Sequence, residues 1–432
     1  MRLSTIASAF LGATAAKAIS TVSVKGNKFF TDDDGKQFFM KGIAYQLTPD
    51  DPLIDTEQCT RDASLMKTLG ANSIRIYHVD AKGDHDGCMS AFADAGIYTL
   101  IDLDTFDTYI LPNDPWWNQT QYDHYAAVMD AFAGYDNTLG FFVGNEIIAI
   151  NNQSMAAPFI KSAARDMKAY RKSKGYRDIP VGYSAADIAE LRPMLQDYLT
   201  CGGNSSENID FFALNSYEWC GEVTYETSGY VNLQNMAVDF PVPIFFSETG
   251  CNTPKPRTFA DQAAIFGKEM VDDWSGSLIY EWIQEANDYG LISYGPSVAA
   301  TATGSDIEGG YSRKGTPTPI SPDFNNLKSQ WATISPTGVI KSDYTPSLST
   351  RACPTSTPSG WLVDGNVALP TLGETFKGSY TSTPTVDPAT VSTATGASAS
   401  ASSTENPASP NKEITGMGAG LVGVMLVFTF WL

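Results

Sequence analysis

Leu139-Gly140-Phe141-Phe142-Val143-Gly144-Asn145-Glu146 starts as an apolar run and stops at an amide followed by a carboxylic acid. A short apolar run without alternation reads as a strand buried on both faces, the mark of a parallel sheet covered by helices. Residues just past the carboxyl end of such a strand are where an α/β barrel assembles its chemistry. The pattern returns downstream in Val242-Pro243-Ile244-Phe245-Phe246-Ser247, followed by Glu248. Two buried strands that each end on a glutamate set a pair of carboxyls at one cleft, as cleavage of a glycosidic bond requires.

The chain on either side repeats one unit. Residues 21–41 alternate apolar and polar around Asp33-Asp34-Gly35, which predicts a small hairpin ahead of the main fold. Strands are then expected over residues 38–45, 72–77, 97–103, 139–144, 179–183, 209–214, 242–247 and 276–282. Helical spacing occupies 59–69, 87–95, 122–133, 156–174, 187–198 and 259–274, with Gly70 and Gly96 closing the first two. Eight strands alternating with helices over roughly 250 residues specify an α/β fold, the (β/α)8 or TIM barrel. A doubly wound open sheet is the rival, but no Gly-x-Gly-x-x-Gly fingerprint follows the first strand.

A barrel predicts polar and aromatic residues just past the strand ends. Tyr45 and Gln46, Tyr77, Asp102 and Asp104, Asn145 and Glu146, Ser184, Asn215 and Tyr217, Glu248, Tyr280 and Glu281 stand there. Together they describe a polar cleft with aromatic walls, suited to a sugar whose hydroxyls take hydrogen bonds and whose ring faces stack. One glutamate would protonate the leaving oxygen and the other attack the anomeric carbon or activate water. The acid needs a raised pKa, which burial or the second carboxylate supplies. Asn145, directly before Glu146, is placed to bond the sugar's 2-hydroxyl.

The two ends and the composition bound the setting. The chain has 432 residues and a formal net charge of −20, which argues against a nucleic-acid partner. Residues 1–18 read as a signal peptide: Arg2, an apolar core, and Ala16-Lys17-Ala18 as a small-x-small cleavage site. Residues 369–410 collapse to Thr, Ser, Ala and Pro, the composition of a disordered, O-glycosylated stalk. Residues 411–432 form a polar spacer and an apolar tail, the signal for a glycosylphosphatidylinositol anchor that replaces the tail. Ser402, Ser403 and Asn406 are candidate attachment sites, and a tail-anchored helix is the alternative. Residues 19–345 are then the catalytic domain and 346–368 a tail associated with it through Cys353. Six cysteines in a secreted chain imply three disulfides, with fifteen possible connectivities. The scattered His78, His85 and His124 and the absence of Cys-x-x-Cys imply neither metal nor cofactor. Asn118, Asn152 and Asn204 begin N-glycosylation sequons.

Gly144-Asn145-Glu146 and Phe246-Ser247-Glu248-Thr249-Gly250-Cys251-Asn252 resemble the acid/base and nucleophile motifs of glycoside hydrolase family 72, the fungal β-1,3-glucanosyltransferases of the cell wall. Lys41-Gly42-Ile43-Ala44-Tyr45-Gln46, Asn72-Ser73-Ile74-Arg75-Ile76-Tyr77, Tyr217-Glu218-Trp219-Cys220-Gly221, Tyr280-Glu281-Trp282 and Asn326-Leu327-Lys328-Ser329-Gln330-Trp331 fit the same pattern. The resemblance runs from about residue 20 to residue 355, and the layout of leader, stalk and anchor tail matches as well. It implies a retaining double displacement with Glu248 as nucleophile and Glu146 as acid/base. Asn145, Tyr217 and Tyr280 would position the sugar and the nucleophile, with Tyr77, Gln46 and Asp102 as weaker carry-overs. The implied disulfides are Cys59–Cys88, Cys201–Cys353 and Cys220–Cys251. The implied partners are a β-1,3-glucan donor and acceptor and, through the lipid anchor, the outer face of the plasma membrane or the wall. The protein is expected to be a monomer.

Two departures stand out. Many members carry a second, Cys-rich carbohydrate-binding module, whereas only Cys353 lies beyond Cys251 here, which suits a shorter subclass. The loop after Tyr45-Gln46, residues 47–57, is also compact. Two other functions compete: an endo-β-1,3-glucanase, in which water completes the second step, and a non-catalytic glucan-binding wall protein.

Overall fold

The computed structural model describes residues 19–376, apart from residues 49, 106, 107 and 349. The expected leader (1–18), most of the expected stalk, the candidate anchor sites Ser402, Ser403 and Asn406, and the tail (411–432) lie outside the described residues. Among the described residues no helix is long and apolar enough to cross a membrane.

Eight strands close into a barrel, numbered here in chain order: β1 (Met40–Ala44), β2 (Ser73–Ile76), β3 (Tyr98–Asp102), β4 (Thr138–Asn145), β5 (Val181–Ala186), β6 (Phe211–Asn215), β7 (Ile244–Thr249) and β8 (Trp274–Ile279). Each lies parallel to its neighbours, and β8 pairs back onto β1. At that seam Gly276 has φ 113°, and a Cβ there would sit 2.2 Å from the Met40 carbonyl oxygen. Only glycine lets the two edge backbones approach.

Helices follow the strands: α1 (Thr56–Leu69), α2 (Asp86–Ala95), α3 (Gln119–Phe132), α4 (Ala157–Lys174), α5 (Arg192–Thr200), α6 (Tyr230–Ala237), α7 (Asp261–Ile265) and, after β8, α8 (Asp323–Thr333). Their ends are chemically marked. Asp55 caps α1 by accepting from the Gln58 N–H, and Asn118 and Gln121 form a reciprocal capping box at α3. Four expectations shift. The expected helix over 187–198 starts only at Arg192, because Pro193 is tolerated in a first turn and not in a helix interior. The expected helix over 259–274 shrinks to α7, bounded by Phe259 at φ 52° and by Gly267. Helices α6 and α8 were not anticipated; Phe324, Leu327 and Trp331 give α8 its buried stripe. The hairpin pairs Val22–Lys25 with Lys28–Thr31, so it turns at Gly26-Asn27 rather than at Asp33-Asp34-Gly35.

The barrel interior divides by height. Its lower part is apolar, with Met40, Leu100, Phe142, Phe211, Phe245 and Leu278 buried together and the hairpin's Phe29 packed against them. Phe142 and Phe211 meet edge to face at 5.1 Å. Above this floor the inward-facing residues turn polar, and the chemistry of the mouth begins there.

Three disulfides fasten the outside: Cys59–Cys88 clamps α1 to α2, Cys220–Cys251 joins the segments after β6 and β7, and Cys201–Cys353 ties the end of α5 to the C-terminal strap. That strap buries Trp361 against Tyr198, with ring centroids 5.6 Å apart. It stays packed past residue 369, where composition alone placed the start of the stalk. The Pro370 carbonyl accepts from Ser162 Oγ and Arg165 Nη2 on α4, and the Gly373 N–H donates to the Trp117 carbonyl.

Candidate active site

One polar layer crosses the barrel above its aromatic floor, with one residue from each of six consecutive strands. Arg75 on β2 is fully buried and pairs bidentately with Asp102 on β3, at 3.0 and 2.7 Å. Its Nη2 also donates to Asn145 Oδ1 on β4 at 2.9 Å, and its Nη1 to Ser184 Oγ on β5 at 3.1 Å. Ser184 and Ser247 on β7 both donate to Asn215 Oδ1 on β6, at 3.0 and 2.7 Å. Burial alone would disfavour the guanidinium's charge, but Asp102 beside it holds Arg75 protonated. An unpaired arginine could not remain here, so the network is self-consistent only as a whole.

Glu248 stands directly above this layer. Tyr77 donates to its Oε1 at 2.9 Å, Tyr217 donates to its Oε2 at 2.8 Å, and Arg75 Nη1 lies 3.5 Å from Oε1. Burial, and then the Glu248 carboxylate itself, keep both tyrosines well above their usual pKa, so they remain donors. For Glu248, burial comes first and the charge of Glu146 second, together pushing its pKa up to about 7 against the pull of Arg75, Tyr217 and Tyr77.

Glu146 is held differently. Its backbone has φ 49°, a region where non-glycine residues are strained, and the flanking bonds fix it there. Its own N–H donates to the Ser184 carbonyl and the Ile147 N–H to Tyr183 Oη, both at 2.9 Å. The carboxyl receives one protein donor, Asn215 Nδ2, at 3.0 Å on Oε1. The residue is exposed at the mouth, yet the protein packed around its carboxyl disfavours the charge and raises its pKa above the usual carboxylate range. Two interacting carboxyls titrate as a pair. With two hydrogen-bond donors and a guanidinium at Glu248 and one donor at Glu146, a single proton shared between them belongs on Glu146, and that removes the second cause of Glu248's elevation.

A third cluster closes the β8 side. Gln46 Nε2 donates to Tyr280 Oη at 2.8 Å and to Glu281 Oε2 at 2.6 Å, and Asn287 Nδ2 donates to Glu281 Oε1 at 2.7 Å. Tyr217, Tyr280 and Tyr289 form an aromatic triangle with centroids 5.4 to 6.4 Å apart.

Glu146, Glu248, Asn145, Tyr77, Tyr217, Tyr280 and Gln46 therefore converge on one mouth. Asp102 does not reach it: it is 2% exposed and both oxygens serve Arg75. Asp104, two residues past the end of β3, is half-buried. Burial, then Asp102, raise its pKa to about 8. Sequence reasoning assigned no role to Arg75, although a lone arginine inside the apolar strand Ser73-Ile74-Arg75-Ile76 signals a buried ion pair. In the sequence Asn215 and Glu281 count among the strand-end residues of the cleft without a role of their own, and Tyr289 is not among them. Among the sequons, Asn152 and Asn204 are exposed and Asn118 caps α3. Among the described residues no cluster of His, Cys, Asp and Glu could hold a metal ion.

A parallel eight-stranded barrel with a buried Glu248 at the end of β7 and Glu146 exposed at the mouth just past β4 is the architecture of a two-carboxylate glycosidase-type site. Residues 11–308 match the description of the glucanosyltransferases of glycoside hydrolase family 72, and the chain belongs to that family. It is 40% identical over 372 residues to the 1,3-beta-glucanosyltransferase gas2 of Schizosaccharomyces pombe, covering 82% of this chain and 77% of that one. It is 41% identical over 359 residues to protein EPD1 of Candida maltosa, covering 81% of this chain but only 62% of that protein's length. A solved structure of Saccharomyces cerevisiae Gas2p, a glutamate-to-glutamine mutant in complex with laminaritetraose and laminaripentaose, superposes with a TM-score of 0.72 at 36% identity, covering 81% of this chain and 75% of that one.

Proposed function

We propose that this protein is a retaining β-1,3-glucanosyltransferase, with Glu248 as nucleophile and Glu146 as acid/base. The observation that carries the reading is the asymmetry between the two carboxyls: two hydrogen-bond donors and the Arg75 ion pair favour an ionised Glu248, while a single donor and the desolvation of its carboxyl favour a protonated Glu146. Family membership and the laminari-oligosaccharides held by the Gas2p structure support the same substrate class.

In the first step a Glu248 oxygen bonds to the anomeric carbon as the glycosidic C–O bond breaks, and Glu146 gives its proton to the departing oxygen. The donor fragment is now an ester on Glu248. Glu146, now a carboxylate, takes the proton from a non-reducing-end hydroxyl of an acceptor glucan. That oxygen attacks the anomeric carbon, Glu248 leaves, and two inversions restore the β configuration. Asn145, whose Oδ1 accepts from Arg75 and Asn215, has its Nδ2 donors to offer the 2-hydroxyl. The compact loop 47–57 walls a cavity of about 510 Å³ against residues 305–314, which gives the β8–β1 side room for further sugar units.

The setting we infer is the extracellular face of the plasma membrane, where a lipid-anchored monomer elongates wall glucan; release of the protein from cells by a phosphatidylinositol-specific phospholipase tests the anchor. Incubation of the full chain with a single laminari-oligosaccharide tests the reaction. Products longer than the substrate are expected, and exclusively shorter products would make it a hydrolase.

A further inference from the structure

Beside the two reacting glutamates lies a third carboxyl with no assigned task. Glu281 follows Tyr280 in sequence, is fully buried, and has both oxygens engaged by side-chain amides, Gln46 on one and Asn287 on the other. Its backbone is tied as well: its N–H donates to the Tyr289 carbonyl at 3.2 Å, and its carbonyl accepts from the Leu291 N–H at 3.0 Å. Burial first, and Glu285 second, raise its pKa to about 8, while the two amides act the other way. Burial thus favours the proton, but both oxygens accept from N–H donors at 2.6 and 2.7 Å, which leaves no acceptor for a carboxyl O–H, so the geometry is that of the carboxylate.

The consequence runs through Gln46. A side-chain amide presents either an oxygen or an NH2 group, and the partner chooses which. Glu281, accepting on both oxygens, demands the NH2 group. That same nitrogen contacts Tyr280 Oη at 2.8 Å, so Tyr280 must accept there and has its own proton to donate elsewhere. Were the amide reversed, the Tyr280 O–H would turn to the Gln46 oxygen instead. The Tyr280 ring meets Tyr217 edge to face, with centroids 6.4 Å apart, and Tyr217 holds Glu248, so the freed O–H belongs to a phenol beside the nucleophile's own holder.

We propose that Glu281 is a positioning residue that fixes the orientation of the Gln46 amide and thereby makes the Tyr280 hydroxyl a hydrogen-bond donor to the reacting centre. The contact of Asn287 with the other oxygen gives Glu281 a second effect. Asn287 belongs to the loop that carries Tyr289, and Asn252 Nδ2 anchors that loop again at the Asn287 carbonyl, 3.0 Å away. The carboxyl thus links two of the three tyrosines that shape the mouth. This inference rests on the glucanosyltransferase reading.

Glu281→Gln is nearly isosteric but can accept from only one of the two amides and offers the other an NH2 group. With Asn287 retaining the oxygen, the Gln46 amide reverses. A double-mutant cycle on a laminari-oligosaccharide reads the coupling. Tyr280→Phe is expected to lower kcat about 100-fold, the scale for one lost donor to developing charge. Glu281→Gln is expected to lower kcat about tenfold with KM little changed, as for a misdirected group. In the Tyr280→Phe background Glu281→Gln should add nothing further to the loss in kcat. Multiplying losses would mean that Glu281 acts through general packing and would overturn the proposal. Thermal unfolding checks that each variant is folded. If Glu281→Gln does not fold, Gln46→Met takes its place in the cycle: it removes the amide itself, and the same absence of an added loss is required. Wild-type protein without transfer products would defeat the functional reading instead, an outcome separate from the cycle.

Discussion

The ends of β4 and β7 carry the same side chain on the same rim, yet the structure treats the two glutamates as opposites. Glu248 is surrounded by donors and sits on a buried guanidinium; Glu146 has one amide and a strained backbone. Desolvation raises both pKa values even though Glu248 is buried and Glu146 is exposed at the mouth, so it does not separate them. What separates them is how many protein groups prefer each one charged. Identical residues become a nucleophile and an acid through their neighbours, and most of those neighbours come from strands other than their own.

The largest break in this comparison is removal of the nucleophile. Glu248→Gln should reduce transfer by about 10⁵-fold or more with the fold intact, measured as product formed from a laminari-oligosaccharide. Glu146→Gln should cost about 10³-fold on the same substrate, because protonation of the leaving oxygen is lost. With a glycosyl fluoride donor, whose leaving group needs no acid, the first step of that variant should recover. Equal losses on both donors would argue against an acid/base role.

Arg75→Met tests the layer beneath. It leaves Asp102 buried without its partner, and breaking a buried pair in this way costs about 3 to 5 kcal/mol, read from denaturant midpoints. The smallest effect sharpens the comparison most finely. Tyr217→Phe removes a donor that lowers the Glu248 pKa, so that pKa should rise above about 7. Since Glu248 must be ionised to attack, the acid limb of kcat/KM should move to higher pH, with a plateau loss of about tenfold, the scale of one hydrogen bond to a charged group. An unmoved limb would show that Tyr217 does not control the nucleophile.

The sequence made the barrel legible because buried parallel strands announce themselves as apolar runs, and both glutamates because each run stops on one. Arg75 was less legible: its strand reads as apolar, and only the fold brings Asp102, Asn145 and Ser184 to it from three other strands. Asp102 and Asp104 illustrate the same limit. Two acids at one strand end look alike in sequence, but pairing with Arg75 takes Asp102 out of the mouth. Helix α7 fell short of expectation because a positive φ at Phe259 and a glycine at 267 cut a pattern that periodicity alone reads as continuous. The strap carried too few apolar residues to separate it from the stalk by composition, yet the Pro370 carbonyl and the Gly373 amide are bonded to the barrel's α4 side and to Trp117.

The central claim is that Glu248 becomes covalently glycosylated while Glu146 manages the proton. Its most direct test is mass spectrometry of the Glu146→Gln variant after mixing with a laminaribiosyl fluoride. Without the base, the second step stalls, so a glycosyl adduct should accumulate on the peptide that contains Glu248. No adduct, together with release of a product of inverted anomeric configuration, would contradict the account.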